Sequence, residues 1–276
     1  MWTAYAPRAN RSRLRRAWYI SMWLVVVYGL SVGVALGLSG GGGSIFAVPL
    51  LLYAVGLPLR EAVTVSLLVV GLTSALGAFL QRRLVQWRAG FVLGVGGVLG
   101  APLGAWIGSM MPERLTMLSF AALMIFVGVR MLRGNDADAG LPGISCRRDS
   151  DGMVHFHWPC AGRLFFAGGL VGVMAGIFGV GGGFLVVTAL VMVLGMPVNR
   201  ALATSLVGIG LISAAAFASN YAKSGVFPVE PALGFLAGSA IGMLAGILFK
   251  SRLSEVVLKR IIGTAMVLVA VWIMFR

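Results

Sequence analysis

Charge is scarce in this sequence: charged residues make up 11% of its 276 positions, and only 8 of them are carboxylates. Those eight, Glu61, Glu113, Asp136, Asp138, Asp149, Asp151, Glu230 and Glu255, fall in loops or near the ends of apolar runs. An interior without carboxylates lacks the anionic ligands on which metal-ion pumps and buried proton relays depend. Histidine is scarcer still. His155 and His157 share one loop, so no nucleophile, base and orienter can be assembled, and an enzyme is not expected. Two cysteines, Cys146 and Cys160, are too few for a disulfide scaffold. With the two histidines they make a mixed set that zinc accepts, but the spacing is that of no standard finger. A polar linker is the plainer reading, and neither a metal nor a cofactor is expected.

What fills the chain instead is apolar: 59% of residues are hydrophobic and the mean hydropathy is +0.97. No aqueous fold of this length could bury that much, so lipid must be the main solvent. The 22 basic residues give a net charge of +14, which on a soluble protein would suggest nucleic acid. Here they flank the apolar runs, as lipid anchors and orientation signals do, and no nucleic-acid partner is expected.

Apolar runs able to span a bilayer, or nearly so, cover 17 to 38, 62 to 80, 90 to 109, 115 to 132, 164 to 180, 201 to 219, 231 to 249 and 261 to 275. The first is too long for a signal-peptide core and is expected to be retained. Two shorter pieces, Ile45 to Gly56 and Phe184 to Gly195, would as helices cover only about 18 Å of a roughly 30 Å hydrocarbon core. They read as broken or re-entrant half-helices. With both re-entrant and the N-terminus cytoplasmic, most basic residues gather on the cytoplasmic side of an inner (plasma) membrane. The expected layout is a basic N-terminus over 1–16, a transmembrane repeat over 17–133, a polar linker over 134–163 and a second repeat over 164–276. The fold class is all-α: a polytopic membrane protein of two homologous four-span halves.

The duplication is visible at a constant offset of 139. Gly33 to Gly77 matches Gly172 to Ala216 at 17 of 45 positions without a gap. The identities include Gly40 with Gly179, Gly42 with Gly181, Gly43 with Gly182, Pro58 with Pro197 and Ser66 with Ser205. At an offset of 138, the ladder Gly96, Gly100, Gly104, Gly108 meets Gly234, Gly238, Gly242, Gly246. A spacing of four lines such glycines along one helix face, where another backbone can pack closely.

Each half also carries a glycine cluster between a full span and a short piece, Ser39 to Ser44 and Phe178 to Gly183. A run of glycines breaks a helix, and broken backbone at membrane depth survives only when packed in protein or lining a wet cavity. Paired interruptions at corresponding places therefore point to a transport site. The helix that restarts after each cluster turns its N-H groups toward it, which suits an anion. Candidate binding residues are Gly40, Gly41, Gly42, Gly43 and Ser44 with Thr64 and Ser66, and Gly179, Gly181, Gly182 and Gly183 with Thr204 and Ser205. Arg60 and Arg200 follow the two Gly-x-Pro turns, and either steer anions or reach for headgroups. Gln81 and Asn220 correspond at the far ends of the next spans and are candidate gates.

The pattern Gly40-Gly-Gly-Gly-Ser-Ile-Phe-Ala-Val-Pro49, Gly56-Leu-Pro58, Ala62, Thr64, Ser66 recurs as Gly181-Gly-Gly183, Gly195-Met-Pro197, Ala201, Thr204-Ser205. It resembles the TauE/SafE sulfite exporter family over nearly the whole chain. Thr188 stands where the first half has Pro49, so the halves need not contribute equally. The resemblance implies a secondary transporter or exporter of a small anion such as sulfite, thiosulfate or an organosulfonate. A non-transporting scaffold or assembly factor for a membrane complex is the alternative. The expected partners are the anionic substrate and the bilayer, and assembly as a homodimer stays open.

Overall fold

A computed structural model of the chain describes residues 11–133, 158–178, 182–196, 198–224 and 227–250, with isolated residues between 260 and 271. The described residues form α1 (Arg11–Ser39), α2 (Ser44–Pro49), a π-helical turn (Leu50–Ala54), α3 (Leu59–Leu80), α4 (Trp87–Met110), α5 (Glu113–Arg133), α6 (Trp158–Phe178), α7 (Gly183–Leu194), α8 (Val198–Ser224) and α9 (Val229–Lys250). No strand occurs among them, as the all-α expectation requires. Five helices, α3, α4, α6, α8 and α9, are long and apolar enough to cross a membrane. The runs at 17 to 38 and 115 to 132 lie in α1 and α5, while most of 261 to 275 falls outside the described residues. Large apolar side chains cover the outer faces: Leu99 on α4, Phe166 on α6 and Leu248 on α9 are exposed, as lipid-facing residues are. Trp87 and Trp106 stand exposed near the two ends of α4, where indoles meet headgroups.

The glycine ladders are the seams of the bundle. A Cβ added at Gly96, Gly100 or Gly104 would run into the backbone carbonyl of Phe165, Gly169 or Val173, so α4 lies flush on α6. The same spacing recurs where Gly238, Gly242 and Gly246 meet the carbonyls of Val26, Leu30 and Val34, seating α9 on α1. Lipid tails leave no hydrophobic drive between helices, so this close backbone contact is what holds the pairs. Each seam joins a helix of one repeat to a helix of the other.

These contacts also fix direction. Residue numbers rise together along α4 and α6, and along α1 and α9, so both pairs are parallel. Gly90, Gly94 and Gly97 of α4 face Val207, Leu211 and Ile212, which makes α8 parallel to α4 as well. By contrast α3 and α8 run antiparallel: Gly71 lies against Ser213, and Gly77 against Leu206. Gly37 and Gly77 both touch Met243, and Gly40 abuts Leu202, so α1 and α3 end at the same level and run the same way. The re-entrant expectation needed α1 and α3 to be opposed. Instead the stretch from Gly40 to Pro58 returns the chain to the level where α1 began, and α7 does the same between the parallel α6 and α8. An apolar piece of 12 residues is compatible with either path, and only tertiary contact decides. In consequence Arg82, Arg83 and Arg88 sit at the end opposite the start of α1, and the linker leaves from that end too. The two repeats point in opposite directions and cross near the middles of α3 and α8, at Gly71 and Gly210.

The two short pieces differ in form. Pro49 has no N-H to continue the ladder, and after α2 the chain relaxes into the π-turn, with Val55 N donating to the Leu50 carbonyl at 3.1 Å. With Thr188 at the matching place, α7 runs unbroken for 12 residues. Cys160, expected in the linker, belongs to the first turn of α6, where Pro159 fits; it is 5% exposed and disulfide-bonded. Cys146, His155 and His157 lie outside the described residues.

Candidate functional site

The interruption after α1 is built by backbone conformations that L side chains avoid. Gly40 has φ +63 and Gly41 φ +147, and Gly40, Gly41, Gly42, Gly43 and Ser44 are all buried. Two serines mend the break. Ser39 Oγ donates to the Ala35 carbonyl at 2.6 Å and accepts the Gly43 N-H at 3.1 Å, and Ser44 Oγ donates to the Gly41 carbonyl at 2.7 Å. Ser44, a candidate binding residue, thus uses its hydroxyl proton inside the loop. In the second run Gly179 and Gly181 lie outside the described residues, while Gly182 takes φ +65 and caps α7.

The two runs meet. A Cβ at Gly183 would collide with the Gly41 carbonyl, and one at Gly41 would lie 2.8 Å from the Gly183 carbonyl and 2.6 Å from Ile209 Cδ1. Ile209 adjoins Gly210, so the meeting point lies beside the crossing of α3 and α8. Ser205 ties this point to α8: its hydroxyl donates toward the Gly40 carbonyl at 2.5 Å, with the Leu202 carbonyl at 2.8 Å. Its counterpart Ser66 is fully buried, and its hydroxyl has no protein partner. Thr204 Oγ1 accepts the Gln86 N-H at 3.0 Å, fastening the α3–α4 turn to α8.

A cleft of about 680 Å³ opens at the level where α3 begins. Its wall includes Arg60, Glu61 and Thr64 from α3, Gly108 and Ser109 from α4, Thr116 from α5, Gly176 and Ile177 from α6, and Asn220 from α8. Three expected residues, Arg60, Thr64 and Asn220, are therefore brought together from two repeats. Their polar groups are partly used locally: Thr64 Oγ1 donates to the Arg60 carbonyl at 2.8 Å and Asn220 Nδ2 to the Ala216 carbonyl at 2.9 Å. Ser109 rests likewise on the Trp106 carbonyl at 2.7 Å. Such bonds to a residue's own helix let a hydroxyl sit in an apolar medium, and they are weak enough to exchange for a guest. The cleft reaches Ile177, two residues before Gly179.

Arg200 and Gln81 are not part of it. Both stand at the opposite end of the α3–α8 pair, Arg200 in the first turn of α8 and Gln81 at the C-terminus of α3, 8% exposed with Nε2 unpartnered. Sequence reading missed Glu61, Ser109 and Thr116. Glu61 carried a usable signal, since it follows Arg60 in the same Gly-x-Pro turn. Ser109 and Thr116 carried none, because only the packing of α4 and α5 beside α3 makes them neighbours.

Relatives match the chain over most of its length. A probable membrane transporter protein of Xylella fastidiosa strain Temecula1 is 34% identical over 272 residues, covering 93% of this chain and 96% of its own. The Bacillus subtilis probable membrane transporter proteins YunE and YdhB are 29% and 25% identical, with 68% and 86% of this chain and 73% and 93% of theirs covered. No solved structure matches the chain. The family model for the sulfite exporter TauE/SafE matches residues 25–273, which takes in both glycine runs, both seams and the cleft. This multi-pass membrane transporter therefore belongs to the TauE/SafE sulfite exporter family.

Proposed function

We propose that the chain is a secondary transporter or exporter that moves a small anion, of the sulfur-oxyanion or organosulfonate class, across the inner membrane. The observation that carries this reading is the cleft that gathers Arg60, Thr64 and Asn220 from the two halves of the chain. A guanidinium offers several N-H donors in a rigid fork and suits an oxyanion. A polar cavity between two oppositely directed repeats is where secondary transporters take up their cargo. The cleft is far larger than a bare oxyanion, so the guest arrives hydrated and sheds water on its way inward.

The arginines at the start of α1 favour a cytoplasmic location for that end, because Lys and Arg near the end of a span bias it toward the cytoplasm. Since α1 and α3 are parallel, the cleft then faces the cytoplasm. The disulfide-bonded Cys160 sits at the far end, toward an oxidising compartment where such bonds persist.

Flux is the test. Purified protein in liposomes is expected to pass at least one of sulfite, thiosulfate, methanesulfonate, sulfoacetate or acetate, with Arg60→Ala lowering the rate about tenfold. Absence of flux for all five anions would retire the reading.

A further inference from the structure

We propose that Ser74, Ser213 and Ser239 form an inner anion site at mid-bundle, deeper than the cleft, where α3 meets α8 and α9. The proposal rests on the transport reading above. Hydroxyls inside a membrane helix usually bond their own backbone. Thr64, Thr73, Ser109, Thr116, Ser119 and Ser219 do so here, each donating to a carbonyl three or four residues back. Among the described residues, five buried side chains hold a polar atom with no partner in the protein: Ser66, Ser74 and Gln81 on α3, Ser213 on α8 and Ser239 on α9. Each such group costs free energy in an apolar medium until something bonds it.

Three of the five gather at one level. A Cβ at Gly77 would meet both Met243 of α9 and Leu206 of α8, so this face of α3 touches both helices. Ser74 stands one turn before Gly77, and Ser239 one turn before Met243 on a helix that runs the same way as α3. On the antiparallel α8, the Cβ of Ser213 lies 3.3 Å from where a Cβ of Gly71 would be. The three fully buried residues therefore fall within about one helical turn of depth, roughly 5 Å, near the middles of α8 and α9. Ser74 and Ser213 are also repeat counterparts, on either side of the crossing at Gly71 and Gly210. Groups beside that crossing move least when the halves rock, so one site can serve both faces of the membrane.

The donors define the guest. Three hydroxyls offer O–H groups, and thiosulfate or a sulfonate presents three terminal oxygens that accept them. The helices α3, α8 and α9 run unbroken through this level, so their carbonyls are committed to the helices rather than to a cation. Neutral donors hold an anion more loosely than a guanidinium does, which lets the guest move on after Arg60 has captured it in the cleft.

Serine is also small, and close helix packing alone would account for it, but alanine serves packing equally well. Alanine is therefore the test. In liposomes holding the full chain, combining Ser74→Ala, Ser213→Ala and Ser239→Ala is expected to lower thiosulfate and methanesulfonate flux at least fivefold. A smaller fall would assign the hydroxyls to packing and overturn the proposal, with transport left standing. A second measurement does not depend on the triple variant folding. In Ser74→Cys and Ser213→Cys, made singly, methanesulfonate added as its N-methylglucamine salt is expected to slow reaction with a small water-soluble thiol reagent at least fivefold. Labelling that is absent, or unchanged by methanesulfonate, or slowed only when sodium accompanies it, overturns the site. If the unaltered protein passes none of the five anions, the transport reading falls first and takes this one with it.

Discussion

Gln81 and Asn220 occupy equivalent positions in the two repeats, yet Asn220 lines a cleft whereas Gln81 is 8% exposed with its Nε2 unpartnered. Ser205 and Ser66 divide in the same way: one hydroxyl bonds the Gly40 carbonyl, and the other is buried with no partner. The two ends of the α3–α8 pair carry similar residue types at matching positions, and packing gives them different surroundings. Two oppositely directed copies of one motif can exchange such surroundings if the halves rock about the crossing at Gly71 and Gly210, which is the minimum that alternating access requires.

The most severe way to break this comparison is to make the halves more alike. Ser44 and Gly183 are counterparts, so Gly183→Ser only copies into one repeat what the other already has. Its Cβ would nonetheless meet the Gly41 carbonyl, and flux is expected to fall about a hundredfold or more while a monodisperse peak in size exclusion reports the fold. Flux within twofold of the parent would mean that the two interruptions do not abut. A second test sets Arg60 against Arg200. Arg60→Ala is expected to raise the apparent KM for anion presented on the cleft side about tenfold, and Arg200→Ala to change it less than twofold. Equal effects would dissolve the distinction between the ends.

Thiol labelling sharpens the same contrast. Asn220→Cys should react with a small water-soluble reagent roughly tenfold faster than Gln81→Cys, in keeping with half-burial in a cleft against near-complete burial. Anion added to the cleft side should slow the first. The smallest effect separates the serines. Ser205→Ala leaves the Gly40 carbonyl without its partner and is expected to cost about 1–2 kcal/mol, read as a lower Tm in detergent. Ser66→Ala removes a hydroxyl that bonds nothing in the protein and should stay within about 0.5 kcal/mol of the parent.

Much of the architecture could be read in the sequence because it depends on local periodicity. The ladder from Gly96 to Gly108 announces a close helix contact wherever its partner lies, and the runs at Gly40 and Gly179 announce a break whatever follows. Pro49 against Thr188 was also visible as an inequality between repeats, and it became a π-turn on one side and an unbroken α7 on the other. Direction was not legible. Whether the pieces behind the glycine runs turn back or carry the chain onward depends on which helices α1 and α6 pack against, and no local pattern records that. The cleft was half legible for the same reason: Arg60, Thr64 and Asn220 stood out by type and position, whereas Ser109 and Thr116 matter only through the neighbours that folding gives them.

The seam between α1 and α9 bears on how the protein is made. The glycine-matched partner of α1, α9, is made long after it, so α1 must wait in the bilayer while the segments between them are translated before it can dock. During that interval its small-residue face is open to other helices and to lipid. A gene split between the repeats should therefore yield two fragments that insert separately but reach a native state only when expressed together.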